Sequence, residues 1–147
     1  MPISGCHSLS MKMTAGAQGL TYVLDQVAVF CRAHDVDPTS FAFISVVLDE
    51  LLTNLLSYGE AENGTLEAEI AIQVSPDALE IRLSDNGHPF DPTLRDAPDV
   101  GAALEDLKIG GLGIHLVKSM SDSFSYAREC GRNVIRVRKT FRRETST

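Results

Sequence analysis

The sequence lacks most features that would place a chain outside the ordinary globular domains. No apolar run in its 147 residues approaches the length of a membrane-spanning helix, and no basic-then-apolar signal sequence opens the chain. Glycine and proline number only 11 and 6, which excludes collagen-like and low-complexity sequence. We therefore expect one globular domain in the cytoplasm.

The chain also lacks an excess of basic residues and any paired cysteine motif. Its 13 Lys and Arg face 20 Asp and Glu, and the resulting net charge of -7 repels nucleic acid and anionic lipid. Cys6, Cys31 and Cys130 are odd in number and widely spaced, which favours neither a disulfide framework nor a zinc site. We expect no direct nucleic-acid partner, no membrane and no structural metal.

Hydrophobic periodicity predicts a mixed order of strands and helices. Alternation favours strands, and apolar residues at three- and four-residue steps favour helices. The predicted order is a strand at 8–14, helices at 16–35 and 38–58, strands at 66–74 and 79–83, a helix at 113–120, and strands at 124–127 and 133–140. Strand runs interleaved with helices that can all cover one face predict an α+β sandwich.

A long loop separates the strand at 79–83 from the third helix of this prediction. Residues 86–113 are rich in Gly, Pro, Asp and Lys around a short helical patch at 100–107. Loops of this length are uncommon in compact domains unless they act as a lid or a binding loop. The segment is therefore a candidate functional element.

The second helix is apolar over much of its circumference but carries two polar residues on one side. Glu50 and Asn54 are four residues apart, so they lie on one side of the helix in partly apolar surroundings. An unpaired buried carboxylate is costly, which favours a metal ion or ligand as its partner. A solvated edge of the helix explains the same spacing, so both interpretations stay open at this point.

A second candidate site lies where the strand at 79–83 ends. Asp85 can accept a hydrogen bond from an exocyclic amine, and Gly87 allows a flat ring to approach the backbone closely. This combination predicts a site for an adenine-like ring. Asp-Asn-Gly is also common in plain strand-to-loop turns, which is the alternative interpretation.

A third candidate is the glycine-rich turn before the last helix. Gly110, Gly111 and Gly113 precede it, and the free N–H groups of a helix start suit phosphate, with Lys108 and Lys118 adding positive charge. The turn matches neither common phosphate-loop pattern. The three candidates together are therefore stronger evidence than any one alone.

In chain order, these three segments resemble the motif boxes of a known ATPase fold. Residues 50–54 (ELLTN), 85–91 (DNGHPFD) and 110–114 (GGLGI) are similar to the N, G1 and G2 boxes of the histidine-kinase-like ATPase fold, also called the Bergerat or GHKL fold. The resemblance implies a two-layer α/β sandwich, a mixed sheet covered by helices on one face. It also implies one domain over residues 1–147, with an ATP lid at about 87–110.

Within that superfamily the chain is most similar to the small anti-sigma-factor serine/threonine kinases of bacterial partner-switching systems. A length of 147 residues leaves no room for the dimerisation helices of a sensor histidine kinase or the further domains of the larger ATPases. The resemblance implies phosphorylation of an anti-sigma-factor antagonist, sequestration of a sigma factor, and a homodimer. We expect the dimer surface to include Leu9, Met11 and Met13 and the first helix.

The resemblance also implies roles for individual residues. Asn54 would bind Mg²⁺, Glu50 would be the general base for a serine or threonine hydroxyl, and Asp85 would accept from the adenine amine beside Gly87. The remaining ATP-binding residues would be Phe90, Lys108, Gly110, Gly111, Leu112 and Gly113. Gly111 and Gly113 would present backbone N–H groups to the phosphates.

One departure from the family bears on the chemistry. Lys108 is the basic residue nearest the end of the lid, where the family often has an arginine, and it lacks the planar fork of a guanidinium group. Two alternatives to a kinase therefore stay open: an ATP-binding regulatory module without productive transfer, and the ATPase domain of a separated histidine-kinase system.

His88 and His115 lack acidic partners at recognisable spacing, so we expect loop and packing roles for them.

Overall fold

The helices and strands lie close to their predicted positions. The structure, a computed structural model, describes residues 3–16, 18–59, 61, 64–92 and 111–141. Its elements are β1 (His7–Thr14), α1 (Gly19–Ala33), α2 (Pro38–Tyr58), β2 (Glu67–Val74), β3 (Ala78–Asp85), α3 (Gly111–Met120), β4 (Ser123–Glu129) and β5 (Arg132–Thr140). The helical patch predicted at 100–107 and most of the predicted lid lie outside the described residues.

The strands form one five-stranded sheet in the order β1-β2-β3-β5-β4. The two-layer α+β fold is confirmed. Each of the four pairings is antiparallel, so the expectation of a mixed sheet is wrong for the described residues. The reason is the final hairpin. It inserts β5 between β3 and β4, so β3 pairs with a strand of opposite direction and β4 lies at the edge.

Side-chain alternation along the strands builds the core on one face of the sheet. Every second residue of β2, including Ile70 and Ile72, is buried beneath the helices together with Val27 of α1 and Leu48 of α2. Removal of this apolar surface from water is the main stabilising contribution to such a fold. The opposite sheet face carries polar residues such as Glu69.

The first strand, which carries part of the expected dimer surface, follows the same alternation. Met13 is buried in the core, and Leu9 and Met11 are partly buried against it. Met13 therefore belongs to the core of its own fold, whereas Leu9 and Met11 keep part of their surface exposed, and the predicted dimer surface stays a prediction. Antiparallel pairing with β2 fixes this register, and a slip of one residue would expose all three.

The second helix begins and ends where the sequence predicts. Asp37 caps it by accepting from the Ser40 N–H at 3.0 Å and from the Ser40 hydroxyl at 2.7 Å, and Pro38 occupies the first turn. The stretch Pro38–Ser57 is long and apolar enough to cross a membrane, and half of it is buried inside the fold. A central core helix has the same composition, so this stretch alone is weak evidence for a membrane span.

The third helix begins at Gly111, two residues before the predicted start. We expected a glycine-rich turn that ends where the helix begins at Gly113. In the structure, Gly111 and Gly113 lie in the first turn of α3. The glycine motif is therefore part of a helix N-terminus.

Candidate nucleotide site

A pocket lies between the C-terminal half of α2 and the sheet, and it contains several of the predicted site residues. Its empty volume is about 370 Å³, with the open solvent at its mouth included. Its walls are mostly apolar, with a few polar groups converging on the space. The lining includes Leu51, Asn54, Gly59, Asp85, Phe90 and Asn133.

Asn54 contributes an acceptor that nothing else in the described chain satisfies. The residue is 5% exposed, and its Oδ1 is buried without a hydrogen-bond partner among the described residues. Leaving such an atom unpaired costs about 1–3 kcal/mol. This burial excludes the solvated-edge interpretation for Asn54 and leaves an oxygen suited to a ligand or cation.

Glu50 lies one helical turn before Asn54 and contacts the first turn of α3. A Cβ placed on Gly113 would be 1.6 Å from Glu50 Oε2, so the carboxylate occupies space that only glycine leaves open. Burial raises the pKa of Glu50, and the neighbouring Asp49 raises it further. A half-buried carboxyl group with a raised pKa beside a helix N-terminus is suited to general-base chemistry.

Asp85 ends β3 and presents one oxygen to the fold and one to the pocket. Oδ1 accepts from the Gly87 N–H at 2.8 Å and from Asn133 Nδ2 at 3.0 Å. Oδ2 accepts no hydrogen bond from the described residues, although Asp85 is only 5% exposed and lines the pocket. The contact with Gly87 is the predicted turn, and the second oxygen stays available to a ligand.

Asn133 is the central residue that the sequence prediction missed. Its amide nitrogen donates to Asp85 Oδ1, to the His88 carbonyl at 2.8 Å and to the Gly87 carbonyl at 3.4 Å. Asn133 is 4% exposed and lies at the start of β5, opposite Asp85 in the sheet. Two sequence signals point to it: residues 131–133 resemble the anti-sigma-factor kinases, and Asn133 follows the Cys130-Gly131 turn, where both residues have positive φ as tight hairpins require.

The chain after Asp85 is held on the sheet as far as Phe90. Arg128 donates to the Gly87 carbonyl at 2.7 Å, and the Phe90 N–H donates to Asn133 Oδ1 at 3.2 Å. Gly87 also pairs with Ala61 in an isolated antiparallel bridge. His88 is exposed and lines the pocket, so it lies closer to the site than its expected loop role suggested.

The structure brings Glu50, Asn54, Asp85, Gly87, Phe90 and Gly113 to one side of the sheet. It places the backbone of Gly111 and Leu112 in the first turn of α3. Lys108 and Gly110 lie outside the described residues. The described part of the chain holds no group of three or more His, Cys, Asp or Glu that could bind a metal alone.

Mg²⁺ rarely uses an all-protein site. It usually keeps several waters and binds one or two protein oxygens together with substrate phosphates. The unpaired Oδ1 of Asn54 can supply one such protein oxygen. The residues present therefore fit a phosphate-bridged Mg²⁺ better than a resident ion.

Comparison with known proteins finds relatives that are named as protein kinases. Serine-protein kinase RsbW of Listeria monocytogenes is 32% identical over 98 residues, 63% of this chain and 61% of that protein. Serine/threonine-protein kinase BtrW of Bordetella bronchiseptica is 26% identical over 90 residues, 61% of this chain and 63% of that protein. The chain thus aligns with about three fifths of these relatives.

A longer alignment includes most of both proteins. Serine-protein kinase RsbW of Staphylococcus aureus is 26% identical over 133 residues, 84% of this chain and 80% of that protein. The histidine kinase-like ATPase domain family matches residues 13–139, which include every described site residue. This chain therefore belongs to the histidine kinase-like ATPase domain family.

Proposed function

We propose that this chain is an ATP-dependent protein serine/threonine kinase of the bacterial partner-switching type. One observation carries the proposal: the Glu50 carboxylate lies against Gly113 at the start of α3, one turn from the unpaired Asn54 Oδ1. This arrangement supports a base and a metal-ligating oxygen beside a helix N-terminus, which is suited to phosphate. The names of the relatives RsbW and BtrW support the same activity.

In this proposal the pocket binds the nucleotide from both ends. Asp85 accepts from the adenine amine through Oδ2, and Phe90, which lines the pocket, forms the wall beside the ring. Gly87, whose N–H donates to Asp85 Oδ1, gives the ring room at this turn. The first-turn N–H groups of α3, from Gly111 onward, receive the phosphates. Asn54 Oδ1 would hold Mg²⁺, and Lys108, Gly110 and Leu112 would complete the lid end of the site.

Bound Mg-ATP supplies an activated phosphoryl group, and the chain supplies position and a base. Phosphoryl transfer needs little covalent chemistry from the protein, so aligned contacts do most of the work. Glu50 takes the proton of the attacking serine or threonine hydroxyl. Its raised pKa makes it a better proton acceptor than a fully solvated glutamate.

The resemblance to anti-sigma-factor kinases supports a proposal for the partner proteins. We propose an anti-sigma-factor antagonist as phosphoacceptor and a sigma factor as the sequestered partner, both in the cytoplasm. The acidic balance of the chain, a net charge of -7, supports protein partners over nucleic acid.

A homodimer is part of the same proposal, and the first helix supplies the more exposed part of the expected surface. On α1, Tyr22 and Val29 are 49% and 57% exposed, seven residues apart and so on one helix face. Val29→Glu should shift a dimer toward monomer and keep ATP binding, whereas Met11→Glu should destabilise the fold. Light scattering at tens of micromolar tests this, and a monomeric wild type rejects the dimer.

Two other functions compete with the kinase. A regulatory module would use ATP only to order the lid, and a separated histidine-kinase ATPase would phosphorylate a histidine. The half-buried Glu50 favours the kinase over the module, because a nucleotide switch needs no base. Acid treatment of the phosphorylated partner distinguishes the serine/threonine kinase from the histidine-kinase ATPase, since phosphoserine survives and phosphohistidine does not.

Calorimetry with ATP tests the nucleotide site itself. We expect Mg²⁺-dependent binding in the low-micromolar to millimolar range. Asn54→Ala and Asp85→Ala should abolish or strongly weaken it, while Asp77→Ala on the exposed β2–β3 turn should not. Absent binding by the wild type, or unchanged binding by both site variants, would overturn the proposal.

A further inference from the structure

An apolar groove lies at the opposite end of α2 from the nucleotide pocket. Its empty volume is about 870 Å³, with the open solvent at its mouth included. Its walls come from the N-terminal half of α2, the end of α3, and the end of β5 with the residue that follows it. They include Ala42, Phe43, Val46, Met120, Lys139 and Phe141. An open apolar surface of this kind is typical of an interaction site.

Lys139 is the one charged residue among the described walls of this groove. It forms no ion pair with a described residue. The nearby Asp122 carboxylate accepts from the N–H and the hydroxyl of Thr140 instead. The groove therefore suits a partner segment with apolar side chains and a carboxylate that can pair with Lys139.

Two helices connect the groove to the proposed base. Glu50 and Phe43 are seven residues apart on α2, and Gly113 and Met120 are seven residues apart on α3. Seven residues make nearly two full turns, so each pair shares one helix side over about 10 Å of axis. Glu50 contacts Gly113 at one end, and Phe43 and Met120 both line the groove at the other. The valley between α2 and α3 therefore runs from the base to the groove.

An exposed leucine lies along this valley. Leu116 is one turn beyond Gly113 and one turn before Met120 on α3, and it is 46% exposed. Among the described residues it is the exposed large apolar side chain that lies outside α1. On the other side of the valley, Val46 is half-buried one turn before Glu50. Apolar surface thus continues from the groove toward the base.

We propose that the groove docks the phosphoacceptor protein, through an apolar segment that carries a carboxylate and lies a few residues from the acceptor hydroxyl. The inference rests on the proposed function, because it takes Glu50 as the base. The distance of about 10 Å corresponds to about three extended residues. One partner segment can therefore occupy the groove while its hydroxyl reaches Glu50. Recognition of the acceptor is thereby assigned to a surface outside the nucleotide pocket and the three motif boxes.

Charge favours this occupant over a second copy of the chain. A two-fold pair uses the same patch twice, so it would bring Lys139 of both copies to one interface. The described walls of the groove contain no carboxylate that could pair with either lysine. An acceptor segment that carries its own carboxylate avoids this repulsion.

Single-turnover phosphotransfer at saturating ATP, with the acceptor concentration varied, tests the inference. The acceptor is the candidate encoded nearest the gene that the wild type phosphorylates. Ala42→Glu places a charge in the apolar groove at an exposed helix position, so the fold and ATP binding should persist. The half-saturating acceptor concentration should rise about 10- to 100-fold, while the rate at saturation stays within about twofold. Ala42→Ser keeps the site small and uncharged and should match the wild type.

Reversing the charge at the edge of the groove gives a second test. Lys139→Glu should raise the half-saturating acceptor concentration about threefold to tenfold, with a smaller effect at high salt. Lys139→Arg keeps the charge and should restore the wild-type value. Lys12→Glu makes the same reversal at an exposed lysine on the opposite face of the sheet and should have no effect.

Three results would overturn the inference while the proposed function stands. One is a folded Ala42→Glu protein with the wild-type half-saturating concentration; if circular dichroism shows that this variant does not fold, an unchanged value for Lys139→Glu decides in the same way. Another is a lower rate at saturation with unchanged half-saturation. The third is a shift from dimer to monomer by Ala42→Glu in light scattering, which would assign the groove to a second copy. A wild type that phosphorylates no candidate would reject the proposed function and this inference together.

Discussion

Replacing Gly113 by alanine should separate the chemistry of this site from the stability of the fold. The new Cβ would lie 1.6 Å from Glu50 Oε2, whereas real Cβ atoms keep at least 3.0 Å from other heavy atoms. The carboxylate must therefore retreat by at least about 1.4 Å. A misplacement of about 1 Å can reduce an enzymatic rate about 100-fold, and we expect a loss of that size.

The free energy of unfolding of Gly113→Ala should rise or stay unchanged. The obstructing atoms belong to the end of a flexible side chain, which can move, and alanine favours a helix over glycine by up to about 1 kcal/mol. The assay is single-turnover phosphotransfer at saturating ATP, beside a thermal melt and ATP calorimetry. Gly16→Ala is the matched control, because its Cβ would meet nothing within 4 Å.

The outcome that refutes this reasoning is a Gly113→Ala protein with normal fold, normal ATP binding and wild-type transfer. Glu50 would then tolerate displacement and would not be the base. A variant that lost ATP binding together with transfer would instead place the main effect on the phosphate-binding turn.

Three further predictions concern other groups. Asn54→Leu should abolish Mg²⁺-dependent ATP binding in calorimetry and leave the free energy of unfolding unchanged or up to about 1–3 kcal/mol higher, because an unpaired buried oxygen is removed; a large loss of stability would contradict this. The pKa of Glu50 is raised by burial, so phosphotransfer should rise as pH increases through a value above that of an ordinary glutamate. With the folded pKa above the unfolded one, the wild type should lose stability relative to Glu50→Gln over the same rise, and melts that run parallel across it would contradict the assignment. Burial, with the nearby Asp37 charge, raises the pKa of Cys31 to about 11, so a thiol reagent near neutral pH should label the exposed Cys6 and Cys130 quickly and Cys31 only after unfolding.

The sequence predicted the elements well where local signals agreed. The second helix was predicted from Pro38 to Tyr58 and has those bounds, because Asp37 and Pro38 define its start and the apolar pattern persists throughout. The strands are also within two residues at nearly every end, since burial of one sheet face forces alternation.

Pairing across the sheet was harder to predict than the strands themselves. No local sequence pattern in β4 or β5 predicts that β5 pairs with β3. This pairing decides whether the sheet is mixed or antiparallel. Leu9 and Met11 illustrate the same limit: their alternation predicts an apolar face but does not say whether that face meets the core or a second chain.

The candidate site was predictable in part for a similar reason. Glu50 and Asn54 share one helix, so their spacing places them together, and Asp85 and Gly87 are neighbours in one turn. Asn133 is 48 residues from Asp85 and reaches it only through the pairing of β3 with β5. A contact made by sheet register leaves no pattern in the local sequence.

The most direct test of the central claim is transfer of labelled γ-phosphate from ATP to the antagonist candidates encoded nearest the gene. Wild type and Glu50→Gln would be compared at equal ATP occupancy. The account predicts an acid-stable phosphoserine or phosphothreonine on a partner with the wild type. Glu50→Gln should be slower by about two to four orders of magnitude. Equal rates for the two proteins, or an acid-labile product, would contradict it.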